Sequence, residues 1–175
     1  DYSLGRLAFV RGRYAEALNL GRRAEALQQA IANREGVASA LLLLAATLAR
    51  QHEFAAALAD YAQAQLIFQQ IGNRQGEAAT LVNAGALALR SGDLKRAQTL
   101  NRQAIELFAA IGDERGVAIG SLNLGLTLVW QSEKEEAESW ARRGLEICKQ
   151  RSFAVQQAAA LGILAAALTQ QGRLE

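Results

Sequence analysis

One feature constrains the fold of this chain more than any other: nearly the same ten residues return every forty positions. IANREGVASA begins at residue 31, IGNRQGEAAT at residue 71 and IGDERGVAIG at residue 111. Stepping by forty aligns Ile31, Ile71 and Ile111; Asn33, Asn73 and Asp113; Gly36, Gly76 and Gly116; and Ala45, Gly85, Gly125 and Ala165, with Gly5 ahead of them. Ala17, Ala57, Ala97 and Ala137 make a further set, and Ala24, Ala64, Ala104 and Gly144 another. Gapless self-similarity at this period belongs to arrays in which one supersecondary unit stacks on the next.

Within a period the apolar residues recur at helical spacing twice. Leu81, Ala84, Gly85 and Ala88 mark a first helix; Leu94, Ala97, Ala104, Leu107, Phe108 and Ile111 mark a second. The short turns between them read RGRY, QHEF, SGDL, QSEK and QGRL, with Gly or His where a helix ends in the left-handed conformation. Asn33, Asn73 and Asp113 stand where an N-cap accepts a bond from an orphan N–H at the start of each first helix. The Gly three residues further on costs roughly 1 kcal/mol against Ala inside a helix, so its recurrence calls for close packing by a neighbour. Gly85 and Ala97 are placed where backbones pass closely, while Phe54, Tyr61, Phe68 and Phe108 fill the space between units.

These residues resemble the tetratricopeptide repeat in a long, forty-residue form found in large bacterial signalling and transcription regulators. The match is the small residue of the first helix (Gly85, Gly125), the Ala twelve positions on (Ala97, Ala137) and the small residue seven beyond that (Ala104, Gly144). Two family features are absent: Leu41, Leu81, Ser121 and Leu161 replace a frequent aromatic, and an Ile-Gly-Asn type corner replaces a frequent Pro. The resemblance implies an all-α, right-handed superhelical solenoid of antiparallel helix pairs, with about four repeats in a single array over residues 1–175. Its corners are expected near residues 33, 73, 113 and 152. The array is expected to be cut in mid-repeat at both ends, with Asp1 inside a first helix and Glu175 near the start of a second. Exposed apolar flanks at Tyr2, Leu4 and Leu7, and at Leu161, Leu164 and Leu168, would then favour self-association.

Composition narrows the function classes. Lys and Arg exceed Asp and Glu by two and are scattered among them, which gives no footprint for nucleic acid. SALLLLAATLA is the richest apolar run, too short to span a bilayer, and it stops at Arg50. The lone Cys148 forms no internal disulfide, and the chain reads as cytoplasmic. There is no phosphate loop, dinucleotide fingerprint, zinc-spaced cluster or nucleophile elbow, so no enzyme, metal or cofactor is expected. His52 reads as a turn residue and Cys148 as a buried apolar one, since it shares the register of Phe68 and Phe108. Glu133, Glu135, Glu136 and Glu138 read as a helix start, Ser132 and Glu135 having capping-box spacing. Trp140 shares its place with Leu20 and Leu100 and reads as packing, whereas Trp130 replaces Arg50 and Arg90.

In the resembled family the first helices line a concave wall. Helical spacing puts Gln75, Ala79, Val82, Asn83, Ala86 and Arg90 on one inward stripe. Glu35, Ser39, Leu42, Leu43, Ala46 and Arg50 flank it on one side, and Arg115, Ile119, Leu122, Asn123, Leu126 and Trp130 on the other. The candidate peptide-binding residues are Asn83, Asn123, Arg50, Arg90, Leu42, Val82, Leu122, Leu126, Trp130 and Arg115. Asn83 and Asn123 either hold the main chain of an extended peptide, as in similar family members, or bond neighbouring helices. Two functions follow from the resemblance. One is a module that binds a protein or peptide through apolar anchors; the other is a structural or regulatory arm of a multidomain bacterial NTPase or transcription regulator, engaged in intramolecular contacts.

Overall fold

The computed structural model describes residues 1–173, all of whose regular structure is helical. The helices are α1 (Tyr2–Val10), α2 (Tyr14–Ala30), α3 (Arg34–Arg50), α4 (Phe54–Gln70), α5 (Arg74–Arg90), α6 (Leu94–Ala110), α7 (Glu114–Gln131), α8 (Lys134–Gln150) and α9 (Ala154–Gln170). The second helix expected near Glu175 lies outside the described residues. Packing divides the chain into two compact units, Asp1–Asn83 and Ala84–Glu175, the boundary falling within α5.

The corners are as periodic as the sequence. A residue with left-handed φ, between 54° and 84°, stands at 12, 32, 52, 72, 92, 112, 132, 152 and 172. Each closes a Schellman motif. At the first, Gly12 N–H donates to the Phe9 carbonyl at 3.0 Å and Arg13 N–H to the Ala8 carbonyl at 2.9 Å; the same pair of bonds recurs at Gly72 and Asn73 and at Gly112 and Asp113. The residue after the left-handed one is the N-cap of the next helix, so α2 to α9, each seventeen or eighteen residues long, follow one another with almost no loop. Asn33, Asn73 and Asp113 accept from the N–H groups of Gly36, Gly76 and Gly116 at 3.0, 2.7 and 2.8 Å, and Asp93 from that of Arg96 at 3.1 Å.

The recurrent Gly has the packing reason that its propensity cost requires. A methyl group on Gly76 would stand 2.5 Å from the Phe68 ring, and one on Gly116 would collide with the Phe108 ring. Each ring thus covers the first turn of the following helix. In the first unit α1 packs on α2 and α3, α2 on α3, and α3 on α4, around Val37, Ala38, Leu41, Ala64 and Phe68. In the second unit α6 packs on α7, α7 on α8 and α9, and α8 on α9, around Leu122, Ala141, Leu145, Ala160 and Ile163. Consecutive helices joined by tight corners and packed along their lengths form antiparallel pairs. Ala17, Ala57, Ala97 and Ala137 are fully buried, as the period requires of a site where helices touch.

One sequence expectation is corrected. Ser132 does not cap α8: it is the left-handed corner residue itself, at φ 63°, and Glu133 holds the cap position without a side-chain bond. QSEK therefore uses Ser where five of the corners use Gly. At Gly85 the contact with α6 is close, since a methyl group there would meet the Asn101 side chain at 2.7 Å. At Gly125 an added methyl would stand 3.4 Å from Ala141 N and 3.5 Å from the Ala137 carbonyl oxygen, so there the backbone of α8 itself comes near.

Candidate functional site

On the odd-numbered helices, burial sorts the candidate residues into three groups. Val82 and Leu122 are 8% and 5% exposed and belong to helix packing, Leu122 within the core shared by α7, α8 and α9; they offer a ligand little surface. Leu42, Leu126 and Asn123 are half-buried. Asn83, Arg50, Arg90, Arg115 and Trp130 are exposed, Trp130 at 69%. Among the described residues neither Asn83 nor Asn123 uses its side-chain amide in a hydrogen bond; the Thr127 hydroxyl bonds only the Asn123 main-chain carbonyl, at 2.7 Å.

Three candidates come together in the second unit. Arg90, Leu126 and Trp130 line a cavity of about 460 Å³ together with Leu89, Gly92 and Leu94. The C-terminal turn of α5 supplies Leu89 and Arg90, the left-handed corner at Gly92 turns the chain away, and the last turns of α7 bring Leu126 and Trp130, four residues apart and on one face. In the first unit Leu42 joins Leu43, Ala46 and residues of α1, among them Phe9 and Val10, around a cavity of about 430 Å³. Beside it lies a polar cavity of about 300 Å³ lined by Tyr2, Gln28, Asn33, Glu35, Gly36 and Ser39.

In the acidic run at 133–138, Glu136 and Glu138 form ion pairs. Glu136 pairs with Arg102 and accepts from Trp140 Nε1 at 3.2 Å, and the Arg102 bond holds its carboxyl below the usual range. Arg102 and Arg143 lie 5.8 and 5.0 Å from the centre of the Trp140 ring. Glu138 pairs with Arg142 at 2.8 Å and Arg173 at 2.6 Å, and the Arg142 bond foremost lowers its pKa. The Cys148 thiol is fully buried, which pushes its pKa up and away from reactivity. His52 is an exposed corner residue at φ 65°, its ring 5.6 Å from that of Phe54. Among the described residues no group of three or more His, Cys, Asp or Glu could hold a metal ion, and no helix is long and apolar enough to cross a membrane.

A family profile described as tetratricopeptide repeat matches residues 36–110, and a second with the same description matches residues 122–151. This chain belongs to the tetratricopeptide repeat family. No curated protein sequence matches it. Among solved structures, this tetratricopeptide array is similar to BtubC (BKLC) from P. vanneervenii, with a TM-score of 0.85 and 22% identity over 97% of this chain and 71% of that one. It is similar to the apo form of RapI, with a TM-score of 0.86 and 16% identity over 98% of this chain; it spans about half of RapI, 48%. A putative kinesin light chain of Podosopora anserina with nearly identical TPR-like repeats gives a TM-score of 0.80 and 17% identity, covering 98% and 85% of the two chains. At these identities the likeness is one of fold.

Proposed function

We propose that this chain is a protein-interaction module whose odd-numbered helices hold a segment of a partner protein through apolar anchors. The observation that carries the reading is Trp130. A tryptophan left 69% exposed beside an apolar cavity stabilises the fold little, and Trp with Arg is the composition that concentrates binding energy at interfaces. Leu89, Leu94 and Leu126 supply apolar walls for a partner side chain, and Arg90 supplies a cation beside it.

Asn123 lies on the same helix two turns before Trp130. Its amide offers a donor and an acceptor, which suits the main chain of a bound segment, and the competing role of bonding a neighbouring helix is not taken up among the described residues. Asn83 occupies the equivalent register position and is exposed. Arg50 and Arg115 add cations at helix ends, which set orientation and association rate more than affinity.

The test is a pull-down with the chain, followed by affinity measurement on the recovered partner with Trp130→Ala, Asn123→Ala and Asn83→Ala. Trp130→Ala should weaken binding by about tenfold or more while the thermal midpoint holds. Binding retained with stability lost would make these residues structural and remove the reading.

A further inference from the structure

Among the described residues, the buried side-chain polar atoms without a hydrogen-bond partner are Asn101 Nδ2 and Oδ1, Ser121 Oγ and Gln131 Oε1, and all of them lie on α6 and α7. Asn101 and Ser121 are fully buried. Asn101 stands where the preceding copy has Tyr61 and the following one Ala141, and Ser121 stands where Leu41 and Leu81 are buried apolar residues. Gln131 Nε2 reaches Gln98 Oε1 at 3.5 Å, a long and weak bond. The equivalent pair one copy later, Gln171 and Glu138, is 3.0 Å apart, and Gln171 Nε2 also donates to the Lys134 carbonyl at 3.1 Å.

Asn101 sits where three helices meet. Its side chain lies on Gly85 of α5, and its main-chain carbonyl oxygen is 3.8 Å from where a methyl group on Gly120 of α7 would stand. What closes this junction is apolar: Ile105 of α6, one turn beyond Asn101, fills the space that Gly120 leaves bare. A buried polar group that bonds nothing carries its desolvation cost for as long as it stays buried, and the cost is relieved when water reaches it. The closed junction bears that cost; an open one does not. In addition, α7 is interrupted by Gly116, Gly120 and Gly125, where α3 has Gly36, Ala40 and Ala45. A helix with three Gly keeps its conformation through packing rather than propensity, so release from α6 also loosens its backbone.

The cavity at Trp130 straddles the same junction. Leu89, Arg90, Gly92 and Leu94 come from α5, α6 and the corner between them, whereas Leu126 and Trp130 come from α7. We propose that α7 opens from α6 as a local fluctuation of the native chain, more readily than α3 opens from α2 and α4, and that this opening sets the width of the Trp130 cavity. The opening needs no ligand; its consequence for binding rests on the reading of that cavity as the partner site. Partner side chains of different size then select different widths.

The test is hydrogen exchange of the full 175-residue chain, read by mass spectrometry. Amides of α7 should exchange about tenfold or more faster than those at the same register of α3. Their rate should depend weakly on denaturant, the mark of an opening smaller than global unfolding. Asn101→Leu combined with Ser121→Ala replaces the unpartnered groups by apolar ones of similar shape, and should slow α7 by about tenfold or more while α3 keeps its rate. Exchange of α7 as slow as that of α3, exchange unmoved by the double variant, equal slowing of both helices, or a double variant that does not fold would each overturn the proposal. No partner enters these measurements. If Trp130→Ala leaves affinity for the recovered partner unchanged, the cavity falls as the partner site and the opening stands; if exchange fails while Trp130→Ala weakens binding, only the opening falls.

Discussion

The side-chain amide of Asn101 lies against the bare Cα of Gly85, so close that a methyl group on Gly85 would stand 2.7 Å from Asn101 Oδ1. Asn101 is fully buried, and neither its Oδ1 nor its Nδ2 has a hydrogen-bond partner among the described residues. The other copies place Gly21, Tyr61 and Ala141 at this position. Helix propensity favours Gly85→Ala, yet the clash with the fully buried Asn101 amide should make it destabilising by about 1–3 kcal/mol, and Gly85→Leu more so. Asn101→Ala removes both the obstacle and the orphan polar group. In that background Gly85→Ala should be neutral or stabilising, a coupling of about 0.5–3 kcal/mol by chemical denaturation. Additive effects would place the closest contact elsewhere.

Ala32, at φ 54°, holds a corner that Gly holds at 12, 72, 92, 112 and 172. A left-handed Ala costs about 1–2 kcal/mol, partly offset by the greater freedom of Gly in the unfolded chain, so Ala32→Gly should stabilise by about 0.5–1 kcal/mol. The thermal midpoint should rise by about 2 °C.

Asp60 stands in the register of Leu20, Leu100 and Trp140. Burial first, then the charge of Glu25, raises its pKa, with Arg22 pulling the other way. A carboxylate whose pKa is raised on folding binds its proton more tightly in the native state, so the ionised group costs stability above the folded pKa and the cost vanishes as pH falls below the unfolded value. Asp60→Asn should therefore raise the thermal midpoint at neutral pH, with an advantage that shrinks on acidification. Glu114, Glu136 and Glu138 have lowered pKa values and lose stabilisation as pH falls. For that reason the difference between variant and parent, rather than the parent's own profile, is the quantity to follow.

Cys148 is fully buried and its thiol is pushed up by burial. Reaction with a thiol reagent such as Ellman's disulfide should follow opening of the α7–α9 region, slow in native buffer and immediate in denaturant. A fast native reaction would mean that α8 and α9 separate readily.

The sequence by itself determined the helices, the corners and the family. These rest on local chemistry that repeats: a residue tolerating left-handed φ every twenty positions, a capping Asn or Asp after those at 32, 72, 92 and 112, and apolar residues at helical spacing. Even the packing reason for Gly76 and Gly116 was legible, because a Gly retained against helix propensity announces a neighbour. What a given side chain meets across a helix interface was decided by the tertiary structure alone. Val82 and Leu122 share the stripe of Asn83 and Trp130 by periodicity, yet they are buried, since the width of an exposed edge depends on how closely the adjoining helices approach. The same holds for Asn101, whose side chain meets Gly85, and for Gln28, which lies on Gly36 where Phe68 and Phe108 lie on Gly76 and Gly116. Periodicity names a position; only the packed neighbours determine whether that position is core, contact or opening.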